Sequence, residues 1–178
     1  MTPPLLQAAR AWVQEVHPHA EHLLRTEHWL LQLQPDASEA LRLAAVMHDI
    51  ERAFPDAEAG WDSSRDAGSA EYNRWHQDRC AEIAARWLRE QGAPEPLVDA
   101  VAELIRVHED GGWPEADLLQ AADSLSFLDT MVWLVQRWPR ANAEAKLNAS
   151  VERINASLTH ARELAEQLRA AARQELAA

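Results

Sequence analysis

Four histidines and two aspartates sit where helical spacing turns side chains inward. His48 follows Leu41, Ala44 and Ala45 on one face, and its neighbour Asp49 shares an edge of that face with Ala45 and Val46. His108 continues the stripe Leu97, Val101, Leu104 and Ile105, and His76 heads the stripe Cys80, Ile83, Ala84 and Trp87. Asp123 lies four residues from both Leu119 and Phe127, and His22 shares a stripe with Trp29 and Leu33. An isolated buried carboxylate is strongly penalised unless it is paired or bound to metal. Two carboxylates beside four imidazoles form a donor set suited to divalent zinc, iron, manganese or cobalt. A single inward histidine is more often a hydrogen-bonded core residue than a ligand. Six inward positions in one short chain strain that reading, although buried His–Asp pairs could account for some of them.

Helices must carry these residues. Pro3 and Pro4 can open a first helix to about Val16, and Pro18 a second to about Gln34. Asp36 and Glu39 have capping-box spacing before the run ALRLAAVMHDIERAF. Residues 55–70 hold Gly, Ser and Asp without periodicity and read as a long loop, a type of segment more often functional than idle. Helical pattern returns over 71–91, stops at Gly92-Ala93-Pro94, and resumes over 95–109 until Gly111-Gly112. Pro114 starts a helix that could reach Trp138, Pro139 breaks it, and a final amphipathic helix is expected over 141–175. The sequons at Asn148 and Asn155 fall in that last helix and are read as chance. The expectation is a single all-α domain over residues 1–178, with its core over about 18–138 and a C-terminal helical extension.

Composition agrees. The chain has 178 residues, 47% apolar and 26% charged, enough to bury one core. Only 5 glycines occur, which favours helix over sheet. A net charge of −12 argues against an extended nucleic-acid footprint, while leaving room for a small phosphorylated ligand held by local cations. The single cysteine, Cys80, cannot form an intrachain disulfide. No apolar run reaches membrane-spanning length and no secretion signal is evident, so a cytoplasmic location is expected.

In chain order, His22, His48-Asp49, His76, His108 and Asp123 resemble the HD-domain superfamily of metal-dependent phosphohydrolases. His22-Leu-Leu-Arg25 resembles the family's first-helix His-x-x-Arg, and LRLAAVMHDIER the helix carrying the eponymous pair. RWHQDRCAEIAARWL, LIRVHEDGG and LLQAADSLSFLD resemble the segments bringing the third His, the fourth His and the closing Asp. The match covers about residues 20–130. The resemblance implies a first cation on His22, His48, Asp49 and Asp123, and a second on His76 and His108, with Asp49 bridging. It implies two divalent ions, with Fe, Mn, Zn, Co, Ni and Mg all compatible, and hydrolysis of a small phosphorylated metabolite or nucleotide. Two positions depart from the common pattern: Arg52 where many relatives have Lys, and Glu109 where many have His or Thr.

Arg52, one turn beyond His48, and Arg25, three residues after His22, are candidate phosphate holders, because a forked guanidinium suits phosphate. Surface ion pairing is the alternative for each. Lys146, the only lysine, and Arg153 are seven residues apart on one face of the last helix. In HD proteins of similar layout a Lys and an Arg after the aspartate helix reach the pocket; a charged outer face is the plainer reading. His17, His19 and His160 are expected at the surface, and His28 rivals His22 as first ligand. Trp61, in the long loop, could line a pocket; Tyr72 and Asn73 could reach a ligand or cap their helix. Two other functions are compatible with the pattern: a diiron oxygenase with the same six ligands, as in a minority of HD proteins, and a non-catalytic metal-binding or sensing module. The apolar last helix could pack on its own domain or form a homodimer.

Overall fold

The computed structural model describes residues 4–61 and 68–177. Part of the expected long loop, residues 62–67, lies outside the described residues, as does Pro3. The described residues contain nine α-helices and no strand: α1 (Pro4–Val16), α2 (Ala20–Leu33), α3 (Glu39–Met47), α4 (Ala70–Glu90), α5 (Glu95–Ile105), α6 (Pro114–Thr130), the single turn α7 (Val132–Val135), α8 (Arg140–Glu152) and α9 (Thr159–Ala177). Two 3₁₀ turns, Ile50–Ala53 and Ala57–Ala59, follow α3. The all-α expectation holds.

The short helix α3 is the centre. Leu41 and every residue from Leu43 to Met47 are buried, and α1, α2, α5 and α6 all pack on it. Its N-cap is Ser38, whose hydroxyl accepts from Leu41 N (3.2 Å), so the Asp36–Glu39 capping box does not form. A buried carboxylate, Glu27 of α2, joins three helices: it accepts from Arg10 of α1 (2.7 Å to each oxygen) and from Arg42 of α3 (3.0 Å). Leu6, Ala9 and Val13 of α1 are fully buried, so the core reaches well before residue 18.

Helix α6 is shared between two apolar clusters. Its Ala116, Leu119 and Ala122 join the cluster of α1–α5, while Ala121, Leu125 and Leu128 join one formed with α7, α8 and α9. A helix covered on two sides must be apolar nearly all round. Gln120, Asp123, Ser124 and Ser126 are the polar residues buried along this helix.

Four expected helices end earlier than their sequence pattern suggests. The helix of the His-Asp pair stops at Met47, and His48 caps it: its Nδ1 lies 3.0 Å from the carbonyl of Ala45, three residues back. Helix α5 stops at Ile105, and His108 repeats the same motif with its Nδ1 2.8 Å from Ile105 O. In both cases a ring supplies the donor that the last helical carbonyls lack. The helix expected over 141–175 is two, α8 and α9. Asn155 Oδ1 accepts from Ser157 N (3.0 Å) and Ser157 Oγ (2.9 Å), a local turn that replaces helical bonding, so Asn155 is not helical. The helix from Pro114 likewise ends at Thr130 rather than near Trp138.

Candidate metal centre

The four imidazoles form a continuous chain. Ring centroids are 5.4 Å apart for His22–His48, 5.1 Å for His48–His108 and 5.4 Å for His76–His108. The residues come from α2, the two capping turns after α3 and α5, and the middle of α4. All four are buried.

Every Nδ1 is engaged on the outer side of this cluster. His48 and His108 donate to the carbonyls of Ala45 and Ile105, and His76 Nδ1 meets Glu51 Oε2 at 3.0 Å. His22 Nδ1 meets Ser126 Oγ at 2.9 Å, and that hydroxyl spends its own proton on the carbonyl of His22 (2.7 Å). Ser126 can therefore only accept from the ring. Each histidine is thereby set with its proton on Nδ1 and its Nε2 lone pair turned inward, the arrangement second-sphere partners impose on metal-binding histidines.

Carboxylate oxygens face those lone pairs. Asp123 Oδ1 lies 3.1 Å from His22 Nε2 and 3.3 Å from His48 Nε2; Asp49 Oδ1 lies 3.0 Å from His76 Nε2. Two acceptors at this distance are tolerated only with a proton or a cation between them. Two ligand atoms each about 2.1 Å from a shared ion stand about 3 Å apart at a right angle, so the spacing fits coordination. Among the described residues, two groups could hold an ion: His22, His48 and Asp123, and His76, His108 and Glu109, each with ligand atoms within 4.8 Å of one another. The first group holds three of the expected ligands, and the second holds two together with Glu109. Asp49 meets the second group through His76.

Charges around the cluster are balanced. Burial raises the Asp49 carboxyl, but Arg52, His76 and His48 outweigh it and hold it well below the usual range. Asp123 behaves alike: burial opposes ionisation, and Arg153 and His48 overcome it. Burial depresses the imidazole of His48, yet Asp123 and Asp49 leave it raised; His76, near Cys80 and between Asp49 and Glu51, is raised well above its ordinary value. His108 is pushed down to about 4 by burial, partly countered by Glu109. The carboxylates thus favour the charged form of the His48 and His76 rings, positive charge in the place a cation would supply it.

A cavity of about 270 Å³ opens onto His22, His48, Asp49, His108, Glu109 and Asp123. Arg52, Lys146 and Arg153 line it on one side, and Phe127, Met131, Leu134 and Trp138 form an apolar flank. The cations differ in what they already hold. Arg52 Nε donates to both oxygens of Asp49 (3.0 Å each) and its Nη1 to Tyr72 Oη (3.2 Å). Arg153 donates to Ser124 Oγ (2.6 Å), Glu109 and Asp123, so all three of its nitrogens are occupied. Among the described residues, the ammonium of Lys146 meets only the face of Phe127, at 4.6 Å, and no acceptor.

Other expected positions fall elsewhere. Arg25 pairs with Asp129 (3.3 Å) and lines a separate surface hollow with His28, so neither enters the cavity. Asn73 Oδ1 accepts from Gly68 N (3.2 Å), and Trp61 is exposed, edge-on to Tyr72. His17, expected at the surface, is buried, with Nε2 3.1 Å from the carbonyl of Asp49, and His19 lines the cavity. Glu51, Ser126 and Glu109 were not singled out as partners by spacing; Glu51 and Ser126 are signalled only by being polar residues on otherwise apolar faces.

No described helix is long and apolar enough to cross a membrane. Comparison with curated proteins and with solved structures finds no match. Residues 7–176, nearly the whole chain, match the model of a domain of unknown function, DUF4202, and the chain belongs to that family.

Proposed function

We propose that this chain is a metal-dependent phosphohydrolase of the HD type, acting on a small phosphorylated metabolite or nucleotide. One observation carries the reading: four imidazoles commit Nδ1 outward, and three of them, His22, His48 and His76, turn Nε2 toward Asp123 or Asp49 at 3.0–3.3 Å. Such contacts need positive charge between them, and the His/Asp donor set suits divalent ions. His22, His48 and Asp123 would hold one ion and His76 and His108 another, with the Asp49 carboxylate available to both. Two bound cations lower the pKa of a coordinated water and neutralise phosphoryl oxygens.

The chain's own residues divide the remaining work. Arg52 holds Asp49 in one rotamer through two 3.0 Å bonds. Lys146, which has no acceptor among the described residues, supplies a charge for a phosphoryl oxygen. The apolar flank of Phe127, Met131, Leu134 and Trp138 keeps water from that side of the cavity. Arg25 takes no part.

Elemental analysis of freshly purified protein, with phosphate release measured anaerobically over a panel of phosphorylated metabolites, tests the reading. Two metals per chain with anaerobic phosphate release are expected. Turnover that requires oxygen and reducible iron would replace the hydrolase with an oxygenase using the same ligands. Bound metal with no turnover on any ester would favour a sensing module.

A further inference from the structure

Glu109 is held more firmly than its place in a turn requires. Its N–H donates to Gln77 Oε1 (2.9 Å) and its carbonyl accepts from Gln120 Nε2 (2.5 Å). Both glutamines are buried. Two buried side chains are thus committed to fixing the backbone of one non-helical residue. Its side chain is equally constrained: Oε2 accepts from Arg153 Nη1, while Oε1 lies 3.8 Å from His108 Nε2.

Arg153 treats Asp123 in the same way. Its Nη2 donates to Asp123 Oδ2, leaving Oδ1 facing His22 and His48. Its Nε is anchored on Ser124 Oγ (2.6 Å). One planar guanidinium therefore spans two carboxylates, and each carboxylate turns its other oxygen to a different group of imidazoles. A lysine, with a single point of charge, has no geometry for this.

We propose that Glu109 is a ligand of the second cation, beside His76, His108 and Asp49, and that Arg153 is the positioning residue that presents Glu109 and Asp123 to the two cations together. The inference rests on the two-cation reading above. It gives the second position two carboxylates for two imidazoles, a harder donor set that favours Mn²⁺ more than a site lacking Glu109 would.

The test uses the full chain stripped with EDTA and titrated separately with Mn²⁺ and Zn²⁺ by calorimetry, with bound Mn²⁺ counted by electron paramagnetic resonance. Wild-type protein should bind two Mn²⁺. Glu109→Gln should keep one site and weaken the other by about 10–100-fold, the range seen even when outer partners of ligands are lost. Zn²⁺ should be weakened less than Mn²⁺, and Glu109→Asp should restore part of the loss. Arg153→Lys should weaken both sites. Wild-type Mn²⁺ affinities at both sites in Glu109→Gln would overturn the assignment, as would equal losses of Mn²⁺ and Zn²⁺, which mark a purely structural role. Unchanged affinities in Arg153→Lys would overturn the positioning role. A wild-type chain that binds neither metal removes the two-cation reading itself, and this inference with it.

Discussion

Ser126 of α6 and His22 of α2 exchange two hydrogen bonds: the hydroxyl donates to the main-chain carbonyl of His22 at 2.7 Å and accepts from its Nδ1 at 2.9 Å. One side chain thereby sets both the tautomer and the orientation of a ring on another helix. Ser126→Ala should free the ring to place its proton on either nitrogen and leave a buried N–H without a partner. Metal affinity at the first position is expected to fall by about 10–100-fold. Calorimetric titration of the stripped variant checks this; affinity equal to wild type would show that Ser126 does not orient a ligand.

The two imidazole groups should empty in different ways. His76→Ala removes a ligand of the second position alone, and the expected metal content falls from two to one. Asp49→Ala should release both ions if its carboxylate bridges, since it contacts His76 at 3.0 Å and its charge acts on His48. Elemental analysis of each purified variant reads the difference. One ion retained in Asp49→Ala would confine Asp49 to the second position.

The inward stripes of His22, His76 and Asp123 are legible in the sequence because polar residues there interrupt otherwise apolar helical faces. His48 and His108 are legible as inward too, but not as residues lying past their helix ends. No Gly or Pro marks the stops at Met47 and Ile105; the histidines make the stops themselves by bonding the carbonyls three residues back. His17 reads as loop beside Pro18, and its burial depends on the distant carbonyl of Asp49. Arg153 reads, with Lys146, either as a phosphate holder reaching the pocket or as a cation on an outer helical face. Its role as the partner of Asp123 and Glu109 depends on the break between α8 and α9, whose sequence signal, Asn155-Ala-Ser157, also occurs inside helices. Long-range pairings such as Arg25 with Asp129 leave no local signature at all.

Lys146 and Arg153 both line the cavity, yet only one has charge to spare. Arg153 is committed to Ser124, Glu109 and Asp123, whereas the ammonium of Lys146 rests on Phe127 with no acceptor among the described residues. Burial, and then Arg153, lower its pKa. Lys146→Met should leave metal content unchanged and weaken inhibition by inorganic phosphate roughly tenfold, the loss of one charge-assisted hydrogen bond of about 1.5 kcal/mol. Undiminished phosphate inhibition would move the anion elsewhere in the cavity. Lost metal would make Lys146 a structural cation.

Metal should compete with protons for the same nitrogens, and the pH dependence has a definite sign. In stripped protein, His48 and His76 have raised pKa values. Their contribution to stability is fully present below the unfolded value of about 6.5 and is lost as pH rises through the folded values. His108, lowered to about 4, and His17, also lowered, act oppositely: their contribution is present above about 6.5 and is lost as pH falls. Asp49 and Asp123 are depressed and matter only in more acidic solution. Stripped protein should therefore lose stability from neutral to alkaline pH as His48 and His76 give up the protons that separate them from carboxylates. Bound cations take over that place, and binding them becomes easier as the protons leave. The difference in melting temperature between metal-loaded and EDTA-treated protein is expected to widen steadily from pH 6 to pH 8.5. A difference that stays constant or shrinks over that window would mean that the Nε2 atoms of His48 and His76 are not where the metal binds.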